Sequence, residues 1–152
     1  MANILDDVKT YAAAEVVCLV GGIPISEFAD DSMVSVAPEA DAFEHGAGAD
    51  GIVTVSVNAD QRAVATITLK ETSDSNAYML AQLAAQRLAR GRARKLVFRR
   101  PFVLHCPNTG EKIVSTHTII LNKPEVSKAK SPGDREWRIL LPYAEYLNIP
   151  GV

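Results

Sequence analysis

The sequence lacks several short motifs that carry chemistry in common enzyme and metal-protein families. It contains no P-loop and no HExxH, CxxC or GxSxG pattern, so a nucleotide-hydrolysing enzyme, a zinc protease and a serine hydrolase are not supported. We expect no catalytic residues and no cofactor. Cysteine is also scarce: only Cys18 and Cys106 are present. Each lies in an apolar, strand-like segment, which favours two buried thiols over a disulfide.

Long apolar runs and targeting signals are missing as well. No apolar stretch approaches the roughly 20 residues that a membrane-spanning helix needs. Residues 1–7 carry acids where a secretory signal carries Lys or Arg ahead of an apolar run. We therefore expect no membrane association and folding in a reducing cytoplasm. A chain of 152 residues can bury a sizeable core, which predicts one domain over 1–152.

Aromatic residues make up only 6% of the chain, and this bears on its most basic segment. Seven Lys and Arg side chains lie between Arg87 and Arg100, accompanied only by Phe98 and Phe102. A single-strand-binding barrel stacks bases on aromatic side chains placed among its cations. We therefore favour an interface or solvated patch and keep a nucleic-acid-binding β-barrel as the alternative. A small ligand-binding or isomerase-type barrel, with one deep cavity, is a second alternative.

Charge is distributed very unevenly along the chain. Residues 1–60 hold eleven acids against the single base Lys9, whereas the remaining residues hold fifteen bases against seven acids. In a protein that assembles with itself, opposite patches of this kind favour head-to-tail contacts, which generate rings or filaments. A one-signed segment can equally be a solvated face.

Most of the chain shows the two-residue apolar period of β-strands. The predicted strands, in order, are 14–20, 23–25, 33–37, 52–57, 63–69, 95–106, 111–121 and 136–141. The alternation predicts that 52–57 and 63–69 form one hairpin with their aliphatic residues in the core. The turn signature at 107–110 predicts a second hairpin between the next two strands.

One helix is predicted over about 75–90, after the capping-type residues 72–76. Met79, Leu80, Leu83 and Leu88 recur at helical spacing, which predicts an apolar stripe packed on a sheet with Gln86 facing away. The predicted fold is mainly β: a β-sandwich or barrel of about seven or eight strands with one flanking helix and a long loop arm.

The long connection at 39–51 is predicted to be a contact arm. It contains three glycines, four acids and one aromatic residue, Phe43. Ordinary hairpin connections need about two to five residues, and longer ones are usually functional or disordered.

Histidine and cysteine in the second predicted hairpin do not form a metal site. With a turn centred on residues 109–110, His105 lies opposite Val114 and His117 lies opposite Phe102, about 10 Å away along the strand. Cys106 points to the other face. Asp30 and Asp31 are interpreted as solvated turn acids, because acid–base chemistry would also need a pocket.

The order and spacing of several segments point to a known family. These segments are Val20–Ile25, Phe28–Asp30, Phe43, Gly48–Gly51, Ala65–Leu69 and Thr72–Asn76. They resemble the tail tube proteins of contractile-tailed bacteriophages of the myovirus type. The likeness covers residues 15–85 and extends more loosely to Trp137. It departs at Asp74, where proline is expected, and at Ala63, where glycine is common.

The resemblance implies a structural, non-enzymatic virion protein with a fold shared with the type VI secretion tube. It implies hexameric rings whose inner strands join into one barrel, stacked into a tube that conducts DNA into the host. The implied partners are further copies of the chain, the tail sheath protein, the tail terminator and baseplate proteins, the tape measure protein and non-specific DNA in the lumen. Assembly is expected in the host cytoplasm.

Contact and lumen residues follow from this interpretation. The predicted subunit and ring contacts are Asp41, Phe43, Glu44, His45, Asp50, Arg92 and Arg94, with Phe43 as an apolar anchor. Lumens in this family tend to be acidic, and like charge repels phosphate. Asp30, Asp31 and Asp60 are the predicted lumen acids.

Overall fold

The structure of the protein is a computed structural model that describes residues 10–148. The first residues, on which the expectation about secretion depends, lie outside this range. Within it the chain forms eleven strands and two α-helices. In chain order the elements are β1 (Val17–Val20), β2 (Ile23–Pro24), β3 (Val34–Pro38), β4 (Phe43–Ala47), β5 (Val53–Val57), β6 (Ala63–Lys70), α1 (Ser75–Leu88), α2 (Arg92–Phe98), β7 (Phe102–Cys106), β8 (Glu111–Ser115), β9 (Ile119–Ile120), β10 (Asp134–Leu141) and β11 (Glu145–Asn148).

The first sheet has five strands in the order β11-β8-β7-β1-β2. Its centre is the predicted hairpin across residues 107–110, but the register differs from the prediction. His105 pairs with Lys112 and Phe102 pairs with Ser115, so the pairings with Val114 and His117 were wrong. The tight turn that leads into β2 needs a positive φ at Gly21 (64°) and Gly22 (81°), which glycine adopts without steric cost.

The second sheet has four strands in the order β3-β6-β10-β9. Strand β6 alternates between buried and half-buried residues up to Leu69 and ends on the exposed Lys70, as expected for a strand with one face on the core. Trp137 of β10 lies opposite Ile67 and is fully buried. The core between the sheets is formed by Cys18, Val20, Ile25, Ala63, Ala65, Ile67, Leu69, Met79, Leu83, Phe102, Ile120, Trp137, Ile139, Leu141 and Ala144.

Helix α1 closes one part of this core, with Met79 and Leu83 buried. The predicted apolar stripe was partly wrong, because Leu80 and Leu88 are exposed and Gln86 is buried. The Gln86 amide explains its burial: its Oε1 accepts a hydrogen bond from the Ile120 backbone N–H at 3.2 Å, and its Nε2 donates to the Thr118 carbonyl at 3.5 Å. The side chain thus satisfies backbone groups beside the short edge strand β9.

The segment Leu96–Phe98 is helical, although its apolar run predicted the start of a strand. Gly91, at φ 58°, redirects the chain into α2, and the Arg94 Nε donates to the Ala89 carbonyl at 3.1 Å. Pro101 then precedes β7, so the strand begins only at Phe102.

The mainly β, sandwich-type prediction with a flanking helix is confirmed, and within residues 10–148 neither sheet closes into a barrel. Neither α-helix of that range has the length and apolar character needed to cross a bilayer.

Candidate assembly interface

Strands β4 and β5 form a two-stranded ribbon that pairs with no other strand of the described chain. Phe43 lies opposite Val57 at its base and Ala47 lies opposite Val53 near its tip. The predicted loop arm is therefore one strand of a hairpin. The predicted pairing of 52–57 with 63–69 was wrong, because β6 lies between β3 and β10 instead. We call residues 43–57 the arm hairpin.

The tip of the arm hairpin is held by local hydrogen bonds. The Gly51 N–H donates to the Gly48 carbonyl at 2.9 Å, and the Gly48 N–H donates to the Ile52 carbonyl at 3.0 Å. Asp50 Oδ1 accepts from the Ile52 N–H at 3.2 Å, and Gly51 has φ 83°. Gly46, Gly48 and Gly51 have the spacing of a dinucleotide fingerprint, but that motif needs a strand followed by a helix. Here they lie between two strands, so they serve the turn.

The two faces of the arm hairpin differ in chemistry. Since directly paired residues share a face, the register gathers the apolar side chains on one side. That face is formed by Phe43, His45, Ala47, Val53, Val55 and Val57, and the other by Glu44, Gly46, Thr54 and Ser56. Phe43, Val53, Val55 and Val57 are 60%, 64%, 59% and 78% exposed. The prediction that the valines line the core was therefore wrong. An uncovered apolar strand pair of this kind is a candidate interaction surface.

The base of the arm hairpin is closed and locally braced. The Asn58 N–H donates to the Ala42 carbonyl at 2.9 Å, and Asn58 Oδ1 accepts from the Asp60 N–H at 3.0 Å. Asp60 also binds the Arg62 guanidinium through both carboxylate oxygens, at 2.8 to 3.1 Å. Hydrogen bonds from the Arg62 side chain and backbone lower the pKa of Asp60 to about 2.

This pairing predicts a pH-dependent contribution to stability. Because the folded-state pKa of Asp60 is lowered from 3.8 to about 2, the contribution is present above pH 3.8 and is lost as the pH falls towards 2. Asp60→Asn should therefore flatten the acid side of the unfolding profile, measured as the urea midpoint at a series of pH values. Arg62→Gln should give a smaller flattening, since it removes the guanidinium hydrogen bonds and leaves the Arg62 backbone N–H bonded to Asp60. An unchanged acid limb in both variants would exclude the pairing in solution.

Beside the base lies an open cleft of about 990 Å³. Its lining includes Glu39, Asp41, Glu44, Tyr146 and Leu147. Tyr146 and Leu147 lie on β11, an exposed edge strand that the sequence analysis did not predict. The segment Glu145–Asn148 places two adjacent apolar residues between polar ones, so it shows no two-residue period that would have identified a strand.

The structure separates the predicted contact residues into two groups. Asp41, Phe43, Glu44, His45 and Asp50 lie on or beside the arm hairpin, and all are exposed. Arg92 and Arg94 lie on α2 and are also exposed. The acids and bases thus occupy different, exposed elements of the subunit.

The predicted lumen acids lie in connections between strands rather than on a sheet face. Asp30 and Asp31 are exposed residues between β2 and β3. Asp30 forms an ion pair with Lys70 at 3.1 Å, and Asp60 is paired with Arg62. Two of the three acids therefore have a basic neighbour, which weakens the repulsion expected from them.

The basic stretch does not form a base-stacking platform. Arg87, Arg90, Arg92, Arg94, Lys95 and Arg99 are exposed. Phe102, however, is fully buried and Phe98 is half-buried, so the nearby aromatic rings are not presented to solvent as stacked bases require. Among residues 10–148, no group of three or more His, Cys, Asp or Glu side chains is arranged to hold a metal ion.

Comparison with known proteins connects this geometry to a family. The sequence model of the family described as "Bacteriophage PhiTE tail tube protein" matches residues 9–146. No curated protein sequence matches the chain.

Three solved structures share the fold. The anti-feeding prophage cap (AFP tube terminating cap) has a TM-score of 0.62 and 11% identity, covering 98% of this chain and 100% of that chain. The PVC sheath/tube terminator in the extended state has a TM-score of 0.60 and 9% identity, covering 92% of this chain and 98% of that chain. The PVC sheath-tube complex in the extended state has a TM-score of 0.59 and 7% identity, covering 98% of this chain and 100% of that chain. At these identities the likeness shows the fold alone.

Proposed function

The chain belongs to the bacteriophage PhiTE tail tube protein family, and from that premise we propose that it polymerises as stacked hexameric rings around a channel that conducts DNA into the host. As a tail tube protein it is a structural component of the phage virion and not an enzyme. The resemblance found in the sequence to tail tube proteins is confirmed.

The observation that carries the polymer is the uncovered apolar face of the arm hairpin. A ribbon with Phe43, Val53, Val55 and Val57 facing water stabilises the subunit little, because burial of apolar surface supplies most of the stability of a fold. The same face gains that stabilisation when a neighbouring subunit covers it. The strand edges at β2, β3 and β11 offer further backbone groups for contacts between subunits.

The partners of the tube follow from the same proposal. A tube of this kind is enclosed by a tail sheath, ends at terminator and baseplate proteins, and holds the tape measure protein before DNA passes. Two of the structures with this fold come from a sheath/tube terminator and a sheath-tube complex, which supports a sheath and a terminator as partners. We place assembly in the host cytoplasm.

Negative-stain electron microscopy of the purified chain tests the polymer directly. We expect rings or tubes that form as the protein concentration is raised. A monodisperse monomer at high concentration and at every salt concentration would contradict the proposal.

We expect charge complementarity to contribute less to the subunit contacts than burial of the apolar face of the arm hairpin does. Exposed acids beside the arm hairpin and exposed bases on α2 would attract each other across a head-to-tail interface. Each exposed pair contributes about 0.2–1 kcal/mol. Reversing two charges, in Asp41→Lys/Glu44→Lys or in Arg92→Glu/Arg94→Glu, removes two such pairs and should therefore raise the concentration needed for assembly by up to about thirtyfold.

The four changes combined in one chain should restore assembly, measured by sedimentation of tubes. A matched control, Lys123→Glu/Glu125→Lys, exchanges two exposed charges that belong to neither group and should assemble normally. Raised salt should weaken assembly of the wild-type chain, as the charge reversals do. Assembly that is indifferent to salt and to all reversals would remove the electrostatic contribution.

A further inference from the structure

The outward face of the four-stranded sheet is mostly polar. Paired residues share a face, so the side chains that alternate with the core can be identified from the register. Three of the four cross-strand rows on that face are polar: Ser35, Thr66 and Arg138 in one, Thr68 and Glu136 in the next, and Lys70 and Asp134 in the third. The fourth row, Ala37, Val64, Leu140 and Ile119, is apolar.

The outward face of the five-stranded sheet has the opposite character. One row contains Pro24, Leu19, Val103, Val114 and Glu145, and the other contains Val17, His105, Lys112 and Leu147. Six of these nine residues are apolar. The buried Nδ1 of His105 has no hydrogen-bond partner among residues 10–148. A face of this composition is unfavourable against water.

We propose that the outward face of the four-stranded sheet lines the channel, so that the wall is rich in hydroxyl groups and balanced in charge rather than acidic. This inference rests on the proposed tube. A lumen is filled with water and polar cargo, and of the two outward faces only this one presents mainly groups that water can solvate. The five-stranded sheet is then turned away from the channel.

The charges of the strand residues on this face cancel. Lys70 and Arg138 lie beside Asp134 and Glu136, with the hydroxyls of Ser35, Thr66 and Thr68 among them. The Asp30 carboxylate, which lies outside the strands, pairs with Lys70 at 3.1 Å. A cationic wall would hold phosphates through counterion release, whereas a balanced wall gives a polyanion no net attraction. The fitting cargo is a hydrated polyanion or polar polypeptide that must pass without being bound.

Cysteine labelling of assembled tubes tests the assignment. The background is Cys106→Ser, since Cys18 is buried and desolvation raises its pKa to about 12, which keeps that thiol unreactive near neutral pH. Thr66→Cys and, separately, Thr68→Cys report on the proposed wall, and Glu145→Cys reports on the other sheet. Each is treated with a small maleimide and with a maleimide on a large polyethylene glycol, before and after assembly.

We expect Thr66→Cys and Thr68→Cys to lose reaction with the large reagent on assembly, to keep reaction with the small one, and to react with both as free subunits. Labelling of these positions by the large reagent along intact tubes would place them outside and overturn the inference. Protection of these positions from both reagents would show that they are buried in a subunit contact, and it would also overturn the inference. If Glu145→Cys loses reaction with the large reagent on assembly and keeps reaction with the small one, the five-stranded sheet faces the channel and the inference is wrong. Failure of the background protein to form tubes is a failure of the proposed function, and a tube with the wrong face inside is a failure of this inference alone.

Discussion

Excision of the arm hairpin should leave a folded subunit that forms no tubes. The change replaces Phe43–Val57 with Asn-Gly, joining Ala42 to Asn58. These two residues are already linked by a 2.9 Å backbone hydrogen bond, so a two-residue turn can close the same pair. Because the removed side chains are exposed in the subunit, the free energy of unfolding measured with urea should change by no more than about 1 kcal/mol. Assembly is measured by electron microscopy and sedimentation.

Point variants separate the loss of apolar surface from the loss of the arm itself. Val53→Thr/Val55→Thr/Val57→Thr keeps β-branched side chains and nearly the same shape but removes apolar atoms from one face. It should weaken assembly strongly while the subunit stays folded. The control, Thr54→Val/Ser56→Val, changes the opposite face and should assemble. Normal tubes from the excised chain would show that the arm hairpin carries no subunit contact.

The arm hairpin also shows how far the sequence alone could lead. The alternation in Val53–Val57 correctly predicted a strand, but a two-residue period does not identify the partner or say whether the apolar face is covered within the subunit. The true partner, Phe43–Ala47, contains a glycine, a glutamate and a histidine, which have little strand preference. Its status as a strand depends on pairing, which the sequence does not display.

Helix α2 was missed for a related reason. Leu96, Val97 and Phe98 form an apolar run that continues past Pro101 into β7, and short apolar runs do not distinguish strand from helix. The signals against a strand were Gly91 and Pro101, which punctuate both ends of the segment. By contrast, β6 and β10 were predicted closely because each has one buried face and therefore a strict alternation.

The contact residues were predicted only as far as composition allows. Glycines and acids in 39–51 pointed to the arm, and the five residues predicted there are exposed on or beside the arm hairpin; their role in contacts stays a prediction. The predicted lumen acids rested on the acidic character of the family rather than on position, and their place on the lumen stays a prediction; Asp30 and Asp60 are paired with bases in the subunit. Which side of a sheet faces outward depends on the register between strands, so the polar face of the four-stranded sheet could be identified only from the structure.

Trp137 should be the most sensitive single position for stability. It is fully buried, and its Nε1–H donates to Asn76 Oδ1 at 3.0 Å. Asn76 in turn donates to the Lys70 carbonyl at 2.9 Å, so the pair fastens the start of α1 to the four-stranded sheet. Trp137→Ala removes the largest buried side chain and should lower the free energy of unfolding by about 3–5 kcal/mol.

Trp137→Phe tests the hydrogen bond apart from the volume. It keeps most of the ring in the core but leaves Asn76 Oδ1 buried without its donor, which should lower the free energy of unfolding by about 1–3 kcal/mol. Asn76→Ala combined with Trp137→Phe should lower the free energy of unfolding by less than the sum of the two single changes, because both changes remove the same hydrogen bond. Urea unfolding must be followed by circular dichroism, since Trp137 is the only tryptophan. Additive losses would mean that the two side chains are not coupled and that the hydrogen bond between them does not hold α1 to the sheet.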